Sequence, residues 1–351
     1  MLLFEETNRP GKGNQWFGQE KSAPNVGPIP IAFIDRLMSS PSKCIHMLGW
    51  SPKEVLHLLE YLEQEIVQNG GRNGGRYRPC KASTLARLIV LLWSIQSNDV
   101  AYRMEGMFGW AKSSINDDKY FLGALLLKIL KREVGQLWPT HDEQLLLISC
   151  ASESLQPHKP FFIVDSTKLA NNDSTDLPTR NQHWNNHKGF GCHMILFSDI
   201  FGNLIWFEAM RNGNGSDVSQ YRSSAPFLQE QGCTFAPDHT GMGDTAYVSA
   251  SSTDPNSAPL LSKYDLDDPA FNNQADLYAL AERFNDDYDT TRSTIERVIR
   301  GSKRFGALGH KSAISLRRGI STQQYVFLVI IILLYLMFVF TLSFSFICFC
   351  L

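Results

Sequence analysis

The spacing of apolar residues changes once along this chain, near residue 160, and that change restricts it to folds in which a helical part precedes a strand-bearing part. Before the change, residues 53–67 place Val55, Leu58, Leu59, Leu62 and Ile66 at helical spacing, behind Ser51 as N-cap and Pro52 at the first helical position. Residues 83–95 repeat the pattern around Leu85, Leu88, Ile89, Leu92 and Trp93, after a flexible basic linker at 70–79. Residues 99–108 and 113–131 predict two more helices broken at Gly109. That is the spacing of a helix-turn-helix, and also of any two packed helices joined at a glycine. Lys112, Ser113, Ser114, Asn116 and Lys119 stand at the start of the second helix, where short polar and basic side chains can reach base edges and phosphates. After the change, residues 161–164 form a short apolar run ending at Asp165. Residues 192–197 and 204–210 predict a hairpin, 217–228 a helix, 258–264 a strand, and a long helix begins at about 275. The expected domain there is mixed α/β. Residues 1–50, rich in Gly, Pro, Asn and Ser, read as a flexible arm.

With 351 residues, 43% hydrophobic and a formal net charge of -2, the chain can bury a core and is not a disordered polyelectrolyte. Its seven cysteines lack CxxC pairs, which disfavours both a disulfide scaffold and a zinc ribbon. His183, His187 and His193 with Cys192 lie on a strand-loop-strand path that spreads them, so zinc is not expected there either. The N-terminal MLLFEETNRP has acids where a secretion signal needs basic residues and then an apolar stretch. Charge becomes informative when divided: residues 165–290 carry 7 basic against 18 acidic side chains, whereas 291–318 carry 8 basic against the single acid Glu296. Carboxylates that hold cations beside basic groups that meet a polyanion would produce that division, as would a mixed surface with a solvated basic helix.

Three acids carry the chemical expectation. Asp165 ends a buried apolar run, where a carboxylate is costly unless paired or metal-bound. Asp244 sits in a Gly-Asp-Thr-Ala-Tyr turn, and Glu296 lies on a helix among Arg292, Arg297, Arg300 and Lys303. Hard oxygen donors from three elements suit a pair of Mg²⁺ or Mn²⁺ ions about 4 Å apart, an arrangement that serves phosphodiester displacement. Each acid has an ordinary alternative: Asp165 can cap a turn, Asp244 can brace its glycine, and Glu296 can pair at i,i±4 with Arg292 or Arg300.

The strings VDST (164–167), NNHKGFGCHMILFSDIFGNLIWF (185–207), NGNGSDVSQY (212–221), GDTAY (243–247), FN (284–285) and TRSTIERVIRGSKRFGAL (291–308) resemble, in order, the blocks of Harbinger-type transposases and their transposase-derived nuclease relatives, members of the DDE superfamily of endonucleases. The resemblance implies a ribonuclease H-like mixed sheet flanked by helices, preceded by an all-α, helix-turn-helix-like domain, with 51–150 and 151–318 as the two domains. It implies that Asp165, Asp244 and Glu296 are catalytic, metal-binding residues using two Mg²⁺ or Mn²⁺ ions. Asp217 matches a further acid of the family, as a ligand or a helix cap. Arg292, Arg300 and Lys303 would grip backbone phosphate, and YRMEGMFGWAKSSI (102–115) looks like the family's helix-turn-helix segment. The implied function is metal-dependent DNA cleavage, with joining of phosphodiesters as an extension, in the nucleus, by a homo-oligomer with an accessory DNA-binding protein. The alternative is a transposase-derived DNA-binding or membrane-tethered protein that no longer cuts. The chain differs from the family in having Asp-Ser-Thr where Asp-Gly-Thr is usual, and in the weakly apolar HTGM ahead of Asp244.

Residues 325–351 carry no charge, and as a helix at about 1.5 Å per residue they would outspan a ~30 Å hydrocarbon core. Two readings stand: a transmembrane tail anchor with the catalytic part cytosolic, or a gene-model artefact from translating a thymine-rich noncoding stretch.

Overall fold

The computed structural model describes residues 31–68, 82–97, 101–134, 138–170, 184–185, 189–212, 216–230, 232–244, 247, 259–271 and 274–303. The linker at 70–79, the C-terminal segment 325–351, and His183 and His187 of the zinc expectation lie outside these residues. Among the described residues no helix is long and apolar enough to cross a membrane.

Among the described residues the helical part comprises α1 (Ile31–Met38), α2 (Pro41–Leu48), α3 (Pro52–Gln68), α4 (Thr84–Ser97), α5 (Ala101–Phe108) and α6 (Lys112–Val134). The expected flexible arm is corrected over 31–48. Its Pro and Ser residues serve as helix starts, with Pro41 opening α2, while Ile34, Leu37, Cys44, Leu48 and Trp50 are buried. Tertiary burial, rather than a long periodic pattern, holds these short helices. Helix α3 begins as expected: the Ser51 hydroxyl and Glu54 carboxylate reciprocally bond each other's backbone N–H, a capping box. Helix α6 packs on α3, α4 and α5. Between α5 and α6 the chain turns at Gly109, whose φ of 67° is open to glycine at little steric cost. Inside this bundle Arg87 of α4 reaches Asp118 of α6 with Nε at 3.0 Å and Nη2 at 2.8 Å from one carboxylate oxygen. The Arg87 guanidinium also lies over the Phe121 ring, 5.2 Å from its centroid.

After α7 (His141–Ser149), β1 (Pro160–Ala170) enters a mixed sheet with β3 (Gly189–Asp199), β4 (Leu204–Asn212), β5 (Thr240–Met242) and β6 (Leu260–Leu261). The spatial order is β4-β3-β1-β5-β6, and a short β2 (Trp184–Asn185) pairs the first residues of β3. β3 is antiparallel to both β1 and β4, whereas β5 and β6 run parallel to β1. Helix α7 packs on β1, α8 (Asp217–Glu230) on β3, and α9 (Ala275–Lys303) on both β1 and β3. Phe161, Phe162, Ile163 and Val164 are fully buried, as a strand covered on both faces requires. The expected hairpin forms, and Asp199 closes its turn by accepting bonds from the backbone of Phe201 and Asn203 and from the Asn203 amide.

Two strands differ from expectation. β1 does not stop at Asp165 but continues to Ala170, because β3 pairs with it along its whole second half. The strand expected over 258–264 shrinks to the two residues of β6. Thr240–Met242 of the weakly apolar HTGM segment nevertheless form a strand, and the side chains of His239 and Thr240 have polar partners. His239 Nδ1 lies 2.8 Å from Gln144 Oε1 on α7, and the Thr240 hydroxyl donates to His158 O at 2.6 Å. Gly241 is required by packing: a Cβ there would stand 2.2 Å from the Phe162 ring. A larger apolar residue would be driven into the core aromatics.

Candidate active site

The parallel pairing of β1 with β5 ends at Ile163 opposite Met242. Asp165 and Asp244 each follow two residues later, so this register carries them to neighbouring positions beyond the end of the ladder. Asp165 is half-buried and Asp244 exposed. From a third element, Asp217 in the first turn of α8 accepts a hydrogen bond from the Ser166 hydroxyl, so the serine that departs from the usual Asp-Gly-Thr ties α8 to β1. Burial pushes the Asp165 carboxyl up from its ordinary value to about 6; the charges of Asp217 and Asp244 push it the same way, while the Ser166 N–H and Arg292 oppose them. The buried Tyr247 phenol borders the same acids and is held protonated first by burial and then by them.

Helix α9 supplies the cations. Its apolar stripe, Ala281, Phe284, Tyr288, Ile295 and Val298, is buried, which turns Arg292, Glu296, Arg300 and Lys303 onto one shared face. Arg292 Nη2 holds Glu296 Oε1 at 2.7 Å, with the two side chains 27% and 46% exposed. The ordinary i,i+4 alternative for Glu296 is therefore present. The structure gathers Asp165, Asp217 and Asp244, and Glu296 joins them through Arg292 rather than directly. Arg300 and Lys303 are exposed one and two turns further along.

A cavity of about 120 Å³ opens beside Asp244, lined by Gly243, Ser262, Lys263, Tyr288, Asp289 and Arg292. Sequence reasoning missed Tyr288 and Lys263. The Tyr288 hydroxyl donates to Gly243 O at 2.5 Å, lies 3.0 Å from Leu261 O, and accepts from Gly243 N at 3.3 Å. One phenol thus fixes the ends of β5 and β6 against α9. Nothing in the sequence separates it from the other buried aromatics of that helix. Lys263 Nζ pairs with Asp289 at 2.5 Å across the same cavity.

The crowded oxygens suit a hard divalent cation, which would relieve the repulsion around Asp165. Among the described residues, no group of three or more His, Cys, Asp or Glu side chains is placed to hold a metal ion; the side chains of His183, His187, Cys192 and His193 lie outside the described residues. In the helical part, Lys112, Ser113 and Ser114 are exposed and Asn116 partly so at the start of α6; the Lys119 side chain lies outside the described residues.

A mixed five-strand sheet flanked by helices, with acids gathered where two parallel strands end, defines an α/β domain with an acidic site. Residues 164–334 match the family described as DDE superfamily endonuclease, which supports that superfamily for this segment: nucleases that act on DNA and generally use divalent metals. No curated protein and no solved structure matches the chain.

Proposed function

We propose that this chain is a metal-dependent DNA endonuclease of the Harbinger transposase type, with Asp165, Asp244 and Glu296 as its catalytic carboxylates and Asp217 as a further ligand. The observation that carries the reading is the register that sets Asp165 beside Asp244, together with a counter-charge, Arg292, delivered by the helix that bears Glu296. The sheet order, three antiparallel strands followed by two parallel ones, favours the ribonuclease H-like form of such enzymes.

In this reading Asp165, Asp217, Asp244 and Glu296 hold two Mg²⁺ or Mn²⁺ ions. When bound, the ions supply Lewis-acid stabilisation of the attacking and leaving oxygens of a phosphodiester. The chain's own residues position the strand. Arg300 and Lys303, exposed beyond Glu296 on one helical face, neutralise backbone phosphates. The Tyr288 hydroxyl holds the Gly243 carbonyl and so orients the Asp244 turn. Lys112, Ser113, Ser114, Asn116 and Lys119 make a second, distant contact with DNA, helix-turn-helix fashion.

The test is Mg²⁺- or Mn²⁺-dependent cutting of DNA by the full chain. Asp165→Ala and Glu296→Ala are each expected to abolish cutting while the protein remains folded by circular dichroism, and undiminished cutting in both would refute the assignment. DNA binding by a wild-type chain that never cuts would favour the DNA-binding alternative.

A further inference from the structure

The feature not absorbed by a phosphate-gripping role is the position of Arg292. It lies on the same helical face as the exposed Arg300 and Lys303, yet its side chain is only 27% exposed and faces inward. Its guanidinium is bonded to Glu296 Oε1 at 2.7 Å, lines the cavity with Asp244, and acts electrostatically on Asp165. A monovalent cation therefore stands beside the acids that the proposed function assigns to divalent ions, and it keeps one of them, Glu296, occupied.

We propose that Arg292 is an internal counter-ion that withholds Glu296 from the metal site until a DNA phosphate draws the guanidinium away. The inference rests on the carboxylate-site reading above and adds its regulation. Two physical facts favour the exchange. A guanidinium presents a planar fork of donors that matches a phosphate as well as a carboxylate, so Arg292 can change partners at little net cost. The partner it releases, a partly exposed carboxylate, is a hard oxygen ligand that gains most beside a divalent cation. The thermodynamic consequence is reciprocal: DNA tightens metal binding and metal tightens DNA binding, by a coupling of ordinary allosteric size. In the absence of DNA the acids are screened from stray cations, and the full ligand set assembles on substrate.

Manganese binding to the full chain, read from the paramagnetic resonance of free Mn²⁺, tests this without relying on catalysis. Wild type, Glu296→Gln, Arg292→Gln, the double variant and Asp165→Asn are compared without DNA and with a saturating short mixed-sequence duplex. Because Glu296 is withheld, Glu296→Gln is expected to change Mn²⁺ affinity by less than about twofold without DNA, but to lose about tenfold or more with it. Arg292→Gln should tighten Mn²⁺ binding without DNA, and adding Glu296→Gln should remove that gain. A simple electrostatic effect of Arg292 predicts instead equal losses for Glu296→Gln in both conditions. That result, or no loss in either, overturns the proposal. Asp165→Asn separates the two levels of the argument: Mn²⁺ binding that is indifferent to it in both conditions sinks the carboxylate site itself. Its sensitivity to Asp165→Asn, beside equal losses in Glu296→Gln, sinks the exchange alone.

Discussion

Asp118 of the helical part and Asp165 of the sheet part are both drawn out of water, and the fold treats the two carboxylates in opposite ways. Asp118, 4% exposed, receives two N–H groups from Arg87, itself 5% exposed, and an aromatic ring covers the guanidinium. Asp165 has no such clasp: one backbone N–H, that of Ser166, bonds it, other acids crowd it, and the arginine that opposes them is bonded elsewhere. Both are expensive to desolvate. The first cost is offset within the fold, which makes Asp118 a structural residue. The second is left open, as the cation site proposed above requires.

That contrast can be broken most severely at Arg87. Arg87→Met strands the Asp118 charge in the bundle and should destabilise the protein by about 3–5 kcal/mol in urea unfolding. If the loss is much smaller, the pair is not the buried clasp described. Asp165→Asn should act with the opposite sign, stabilising the protein in EDTA at neutral pH by about 1–3 kcal/mol. The pH dependence follows from the raised carboxyl. With its value in the folded state near 6 and its ordinary value 3.8, the native protein binds the extra proton between those limits. Stability is therefore lost as pH rises from about 4 to about 6 and stays lost above, a slope that Asp165→Asn should flatten.

The link between the sheet core and the site can be probed at Gly241. Gly241→Ala forces a Cβ against the Phe162 ring and should cost about 1–3 kcal/mol, part of which Phe162→Leu should restore in a double-mutant cycle. Additive losses would mean the two residues are not in conflict. The smallest effect is expected at Tyr288. Tyr288→Phe keeps the ring but leaves the Gly243 carbonyl without its phenol donor, a loss of about 1 kcal/mol. Hydrogen exchange at Gly243 should rise with it, and unchanged exchange would remove Tyr288 as the brace of the Asp244 turn.

Much of this was legible in the chain. The helices α3, α4 and α6, the β3–β4 hairpin and the long α9 follow from local spacing, capping residues and turn chemistry, which act over a few residues. The early helices α1 and α2 were not legible, because each is about two turns long and is held by burial of Cys44, Leu48 and Trp50 rather than by its own pattern. HTGM reads as a poor strand until its partners are seen: Gln144 lies 95 residues from His239 along the chain, and the Phe162 ring leaves Gly241 no alternative.

The acids themselves, their order and the charge reversal at residue 291 were determined by sequence alone, because charge and composition do not depend on folding. Which acids meet was decided only by tertiary structure. The pairing of Ile163 with Met242 sets Asp165 beside Asp244, and the Ser166 hydroxyl brings in Asp217. The helical repeat gives Glu296 first to Arg292. Nothing local encodes the first two meetings, since each depends on a register or a packing contact between segments tens of residues apart, whereas Arg292 and Glu296 are four residues apart on one helix.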